Sequence, residues 1–113
     1  PLYARVFRSF YKKHQENPKE DSFFFNTPAF LVITAKNVLD AGLAAANIEN
    51  MAVAEGAGVL YSGYTRAVID ASKTLREWLG IGSRTVACCM LIGYPAVSYK
   101  RTAPRKQGNI VIR

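Results

Sequence analysis

Few side chains in this 113-residue chain could act in catalysis, and their spacing argues against most of the chemistry open to them. The single histidine, His14, stands in a polar stretch with no cysteine or carboxylate cluster at ligand spacing. Neither a metal site nor an acid–base pair can be built on it. Ser62 has no histidine at a believable distance in sequence and lies outside any Gly-x-Ser-x-Gly elbow, which removes it as a nucleophile. Cys88 and Cys89 are neighbours in an apolar run. Adjacent residues there cannot readily close a normal disulfide, so buried free thiols are expected.

Two features remain. One is the stretch Glu55-Gly-Ala-Gly58-Val-Leu-Tyr-Ser-Gly63-Tyr64, which reads locally as the end of a helix followed by a turn. The other is the basic end of the chain: Glu77 is the last acidic residue, and Arg84, Lys100, Arg101, Arg105, Lys106 and Arg113 follow it. Such a tail is an anion-seeking element or a solvated basic face.

The bulk properties set the frame for these features. A hydrophobic content of 50% gives a chain of this length enough apolar material for one globular domain with a real core. The net charge of +7 and a pI near 9.7 raise a nucleic acid or another polyanion as partner. No run approaches the roughly 18 apolar residues of a membrane span. Pro1-Leu2-Tyr3-Ala4-Arg5 lacks the apolar core of a secretory signal, so a soluble, cytoplasmic protein without a membrane partner is expected.

The elements that must position the features follow from periodicity. Leu2, Val6, Phe7, Phe10 and Tyr11 recur at three and four among basic residues, predicting an amphipathic helix over 2–13, with a polar loop over 14–22. The apolar run 29–34 predicts a strand buried on both faces, and 85–93 predicts a second interior strand. Between them, Asp40 is the expected cap of an alanine-rich helix stopped by Gly56 and Gly58. Asn47 and Glu55 are polar positions on that helix. Thr65 is the expected cap of a third helix carrying Val68, Ala71, Leu75 and Trp78 or Leu79 on one face, ended by Gly80-Ile81-Gly82. Trp78 and Phe23 to Phe25 are expected in the core. Residues 97–113 form an extended arm whose tip, Asn109 to Ile112, has strand propensity. Two interior strands need more neighbours than the chain supplies, which implies a missing segment or a second subunit.

In order, Phe23-Phe-Phe-Asn-Thr-Pro28, the helix Ala44 to Glu55, Gly56 to Tyr64, Ile92-Gly-Tyr-Pro95 and Thr102-Ala-Pro-Arg-Lys106 resemble the nitroreductase family of FMN-dependent oxidoreductases. They are most similar to the nitroreductase domains that follow a ferredoxin-like iron–sulfur domain. The resemblance implies an α+β fold, a mainly antiparallel sheet flanked by helices, of which residues 1–113 are the carboxy-terminal part of a single, incomplete domain. It implies that Leu60, Tyr61, Ser62 and Gly63 pack against the flavin ring, with backbone amides toward its N5 edge. Arg105 and Lys106 would lie near the FMN phosphate, and the Arg-Ser-x-Arg type motif of the family is absent here. Many relatives carry proline and glutamate where Leu60 and Ser62 stand. Electrons would come from NAD(P)H or a ferredoxin-type donor and pass through FMN to nitroaromatics, quinones or similar acceptors. The family pairs two chains into a homodimer that exchanges tails. Any iron–sulfur cluster would belong to an upstream domain.

A different class of function is a non-enzymatic basic module for nucleic acid or another polyanion. The interior character of both strands weighs against it, because single-strand binding uses a free sheet face with aromatics and cations interleaved. A third is a catalytically inert dimerising piece.

Overall fold

The computed structural model describes residues 2–101, 104, 106–108 and 111. Four helices and three strands follow one another as α1 Leu2–Glu16, β1 Ala29–Thr34, α2 Val38–Ala54, β2 Gly58–Tyr61, α3 Gly63–Ala71, α4 Lys73–Trp78 and β3 Val86–Gly93. The strands form one antiparallel sheet in the order β1-β3-β2. The fold is thus α+β with an antiparallel sheet, as the family resemblance implied.

β3 is the interior strand that its apolar run predicts: Val86, Cys89, Met90 and Leu91 are each no more than 1% exposed. Successive strand residues point to opposite faces. Cys89 packs with Ile69 of α3 in one core cluster, while Met90 faces the other way. Among the described elements only α2 and α3 contact β3 from outside the sheet, which leaves α2 to cover the Met90 face. β1 differs from expectation. It has one neighbour, β3, and lies at an edge of the described sheet, with Ala29 and Leu31 exposed. A continuous apolar run cannot distinguish an interior strand from an edge strand.

Several boundaries move for local reasons. α1 continues past residue 13 to Glu16, helped by Lys12–Glu16 (3.7 Å) and by Gln15 Nε2 donating to the Tyr11 hydroxyl (2.9 Å), both at i,i+4 spacing. The cap of α2 is Asn37, whose Oδ1 accepts from the Leu39 amide at 2.9 Å; Asp40 lies inside the first turn, where its charge suits the helix dipole. Gly56 stops α2 in the left-handed region (φ 79°), while Gly58 opens a strand instead of ending a helix. β2 was not expected at all, since four residues beginning with glycine carry no readable alternation. Thr65 is buried and caps nothing; Ser62 caps α3, and Ser72 divides the expected third helix into α3 and α4 by ending one and capping the next. Trp78 and Phe25 are exposed (80% and 62%), against the core position expected of them, whereas Phe23 and Phe24 are half-buried.

At the far end of β3, a Cβ added to Gly93 would stand 3.2 Å from Pro28 Cδ, so the Gly93-Tyr94-Pro95 turn needs glycine for close approach to the Thr27-Pro28 segment.

Candidate functional site

Four of the six residues expected to hold a cofactor come together. Leu60, Tyr61, Ser62 and Gly63 line one cavity of about 470 Å³, closed on its other side by Phe10 of α1 and by Ser22, Phe23 and Phe25. Lys106 is exposed and does not line it, and Arg105 lies outside the described residues, as do Asn109, Ile110 and Ile112 of the expected terminal strand. Val111 is exposed.

The floor of the cavity is the passage from β2 into α3, and its backbone is only partly free. The Ser62 amide donates to the Cys89 carbonyl at 2.9 Å, which stitches the end of β2 to β3 and consumes one amide the resemblance aimed at a flavin. Ser62 Oγ accepts from the Thr65 amide (3.3 Å) and shares a 2.7 Å bond with Thr65 Oγ1, so this hydroxyl is a cap. The Gly63 amide, at the first position of α3, has no acceptor among the described residues. Gly63 has an ordinary φ, and a Cβ at this position would meet nothing within 4 Å. Position 63 therefore offers open space beside a free N–H at a helix start, where negative charge is favoured.

The walls are aromatic. Phe7 of α1 meets Tyr64 edge-on at 6.2 Å and Phe23 at 5.8 Å; Phe23 continues to Phe24 at 4.8 Å, and Phe24 to Phe30 of β1 at 5.5 Å. Edge-to-face contacts of this kind tie α1 and the 23–25 turn to the sheet. The turn itself is held by Asp21. Its carboxylate accepts from the amides of Phe23 (3.0 Å), Phe24 (2.8 Å) and Asn26 (3.3 Å), and it supports left-handed backbone at Phe25 and Asn26. Burial works to raise the Asp21 pKa, but the three amides and the nearby His14 outweigh it and hold the carboxyl below its ordinary range. His14 is spent structurally, its Nδ1 donating to the Glu20 carbonyl at 3.2 Å.

Glu49 is the partner of a candidate site residue that periodicity missed. Asn47 and Glu55 stood out on α2, yet both are exposed, and Glu55 serves as the helix C-cap. Glu49 instead accepts a 2.9 Å bond from the Tyr61 hydroxyl. Burial and this carboxylate together raise the Tyr61 pKa. Nothing in the spacing marks a pair twelve residues apart on a helix and a strand that was not itself legible.

Among the described residues, no group of three or more His, Cys, Asp or Glu side chains could hold a metal ion, and no helix is long and apolar enough to cross a membrane. The site is thus an apolar, aromatic-walled slot with one open amide. It suits a flat ring whose own chemistry does the work. Compared with known proteins, the chain matches the family model described as "Nitroreductase family" over residues 3–94, a span that runs from α1 to just past β3 and stops short of the basic tail. No curated protein matches it.

Proposed function

The chain belongs to the nitroreductase family, a family of flavin-dependent oxidoreductases, and from that membership we propose that its parent protein is an FMN enzyme. It takes electrons from NAD(P)H or a ferredoxin-type donor and passes them to nitroaromatic, quinone or similar acceptors. The observation that carries this reading is the convergence of Leu60, Tyr61, Ser62 and Gly63 on one apolar slot beside the free Gly63 amide. The residues present fit the ring end of the cofactor. Leu60 is half-exposed toward contact, Tyr64 and Phe23 supply aromatic walls, and the unfilled space at Gly63 lets a ring approach the backbone.

When bound, FMN supplies the hydride and electron chemistry. The chain's own part is to orient and to stabilise. The Gly63 N–H, backed by the start of α3, is a fixed donor toward charge that develops at the ring edge, with little reorganisation. The Glu49–Tyr61 bond fixes one end of β2 against α2. The Ser62 cap and its amide bond to Cys89 hold the slot's floor rigid. Catalysis then requires no acid–base side chain, in keeping with the roles found here for His14 and Ser62. Among the described residues no cation lines the slot, and we assign the phosphate to the tail pair Arg105 and Lys106 together with residues outside these 113. A guanidinium suits that task through two-pronged contact with phosphate oxygens. We place the parent in the cytoplasm as a homodimer with exchanged tails.

The test is the purified full-length protein. It is expected to be yellow, to release FMN on denaturation, and to bleach anaerobically with NADH or NADPH. A colourless protein that FMN cannot reconstitute, and that shifts DNA in a salt-dependent way, would replace this reading with a polyanion-binding one. Residues 1–113 alone are expected to bind FMN weakly or not at all.

A further inference from the structure

Opposite the Gly58–Gly93 end of the sheet, β1 and β3 finish side by side in a second, chemically different hollow. Thr34, Ala35 and Lys36 leave β1 while Ser83, Arg84 and Thr85 lead into β3, and these six residues line a groove of about 440 Å³. Tyr61 pairs with Met90, four residues along β3 from Val86, so the groove lies on the order of 13 Å from the aromatic slot. Among the described residues its lining carries two cations, three hydroxyls and no carboxylate.

The cations are unspent. Lys12, Lys13, Arg66, Lys73 and Arg76 each pair with a carboxylate, but among the described residues neither Lys36 nor Arg84 has an ion-pair or side-chain hydrogen-bond partner. Among the described residues no hydrogen bond engages the hydroxyls of Thr34, Ser83 or Thr85 either. Asp40, four residues beyond Lys36, does not line the groove.

The backbone presenting Arg84 is nevertheless fixed. Arg76, only 18% exposed at its side chain, donates from Nε to the Gly82 carbonyl (3.0 Å) and from Nη2 to the Arg84 carbonyl, while the Arg84 amide donates to the Ile81 carbonyl (3.1 Å). Across the ladder, the register slips between Ile33 and Thr34, so that Thr34 pairs with Val86 and Ala87 is passed over. One half-buried arginine is thus used to hold a loop whose own arginine is left facing solvent.

We propose that this groove binds the phosphate group of a small phosphorylated ligand, with Arg84 and Lys36 as its charge partners and the hydroxyls of Thr34, Ser83 and Thr85 as donors. A phosphate offers three or more acceptor oxygens to such a set, where a carboxylate offers two. A guanidinium on one strand end and an ammonium on the other can engage them from two sides. This site is independent of the flavin reading and survives its failure.

The probe is inorganic phosphate, titrated into the isotope-labelled full chain at constant ionic strength and followed by backbone amide shifts. Saturable shifts are expected at residues 34–36 and 83–85. Arg84→Gln is expected to weaken the apparent Kd by about tenfold and Lys36→Gln by a few fold, since charge-assisted bonds of this size are involved. Both side chains are exposed and the Arg84 carbonyl keeps its bond from Arg76, so the remaining amide spectrum should superimpose on the wild type. Should either variant lose that dispersion, the other carries the test. The proposal is overturned by shifts that fail to saturate where a millimolar site would be full, by saturation centred on other cations such as Lys12 and Lys13, or by an affinity that the folded variants leave unchanged.

Discussion

Cys89 shows how far a residue's environment departs from its type. Burial, with smaller contributions from Cys88 and Asp70 and against the pull of Arg66, raises its thiol from an ordinary 9.0 to about 11. The folded state therefore holds the proton more tightly than the unfolded chain, and the associated stability is present below pH 9 and falls away as pH rises toward 11. A shift of that size corresponds to about 2–3 kcal/mol. Cys89→Ala is expected to cost about 1 kcal/mol at neutral pH through the small cavity, and to show a shallower loss of stability than the wild type between about pH 9 and 11 in urea unfolding. Cys88, half-buried, should react with an alkylating reagent before Cys89 does. Asp21 has the opposite sign. Its depressed pKa gives stability that is present above an ordinary 3.8 and lost as pH falls through the folded value, and Asp21→Ala should remove that acid limb along with about 1–3 kcal/mol. The cysteines could be read from sequence as free and largely buried because neighbouring apolar residues say so. Trp78 could not be read as exposed, because a large aromatic at a helical spacing looks the same whether its face is covered or bare.

At the scale of elements, long runs with one period were legible and short joints were not. α1, α2, β1 and β3 follow from apolar spacing, and the Gly80-Ile81-Gly82 stop is where the left-handed glycines stand. What escaped is decided by single hydroxyls and by partners far along the chain. Ser62 and Thr65 are both good caps, and the choice falls to Ser62 because its amide is already held by Cys89, a contact 27 positions away. Leu60 to Gly63 could be marked as one stretch in sequence and do line one cavity, while their form, a strand end running into a helix start, depended on β3. The cap can be tested apart from any cofactor. Ser62→Ala is expected to lower stability by about 1 kcal/mol in urea unfolding, and Ser62→Asp, which keeps an acceptor and adds charge favourable to the start of α3, should recover most of it. Equal stability for the two variants would mean that the Thr65 hydroxyl, not the cap, anchors this turn.

At the scale of the whole molecule, α2 leaves large apolar side chains uncovered by the described residues. On α2 the residues buried toward the sheet are the small Ala41 and Ala45, whereas Leu39 and Leu43 on the opposite side, and Met51 and Val53 on its two flanks, are more than half exposed. Alanines let the helix sit close to the strands, and the large apolar side chains left exposed beside Asp40, Asn47 and Asn50 form an uncovered patch of the kind that marks a contact surface. Within the proposed homodimer the outer face of α2 is the surface that a second copy covers. Leu43→Lys and Met51→Lys should then each shift the full-length protein from dimer toward monomer in light scattering, while far-ultraviolet circular dichroism stays that of a folded chain. The melting midpoint of the wild type, and not of these variants, should rise with protein concentration. Deleting residues 97–113 separates the two contributions to assembly. If exchanged tails clamp the pair, the truncated protein falls to monomer even with α2 intact; if α2 suffices, it remains dimeric and only the tail half of the assembly proposal is lost. A lysine on α2 that leaves both mass and concentration dependence untouched would show that this face is bare in solution, and the homodimer would then have to be built elsewhere on the chain.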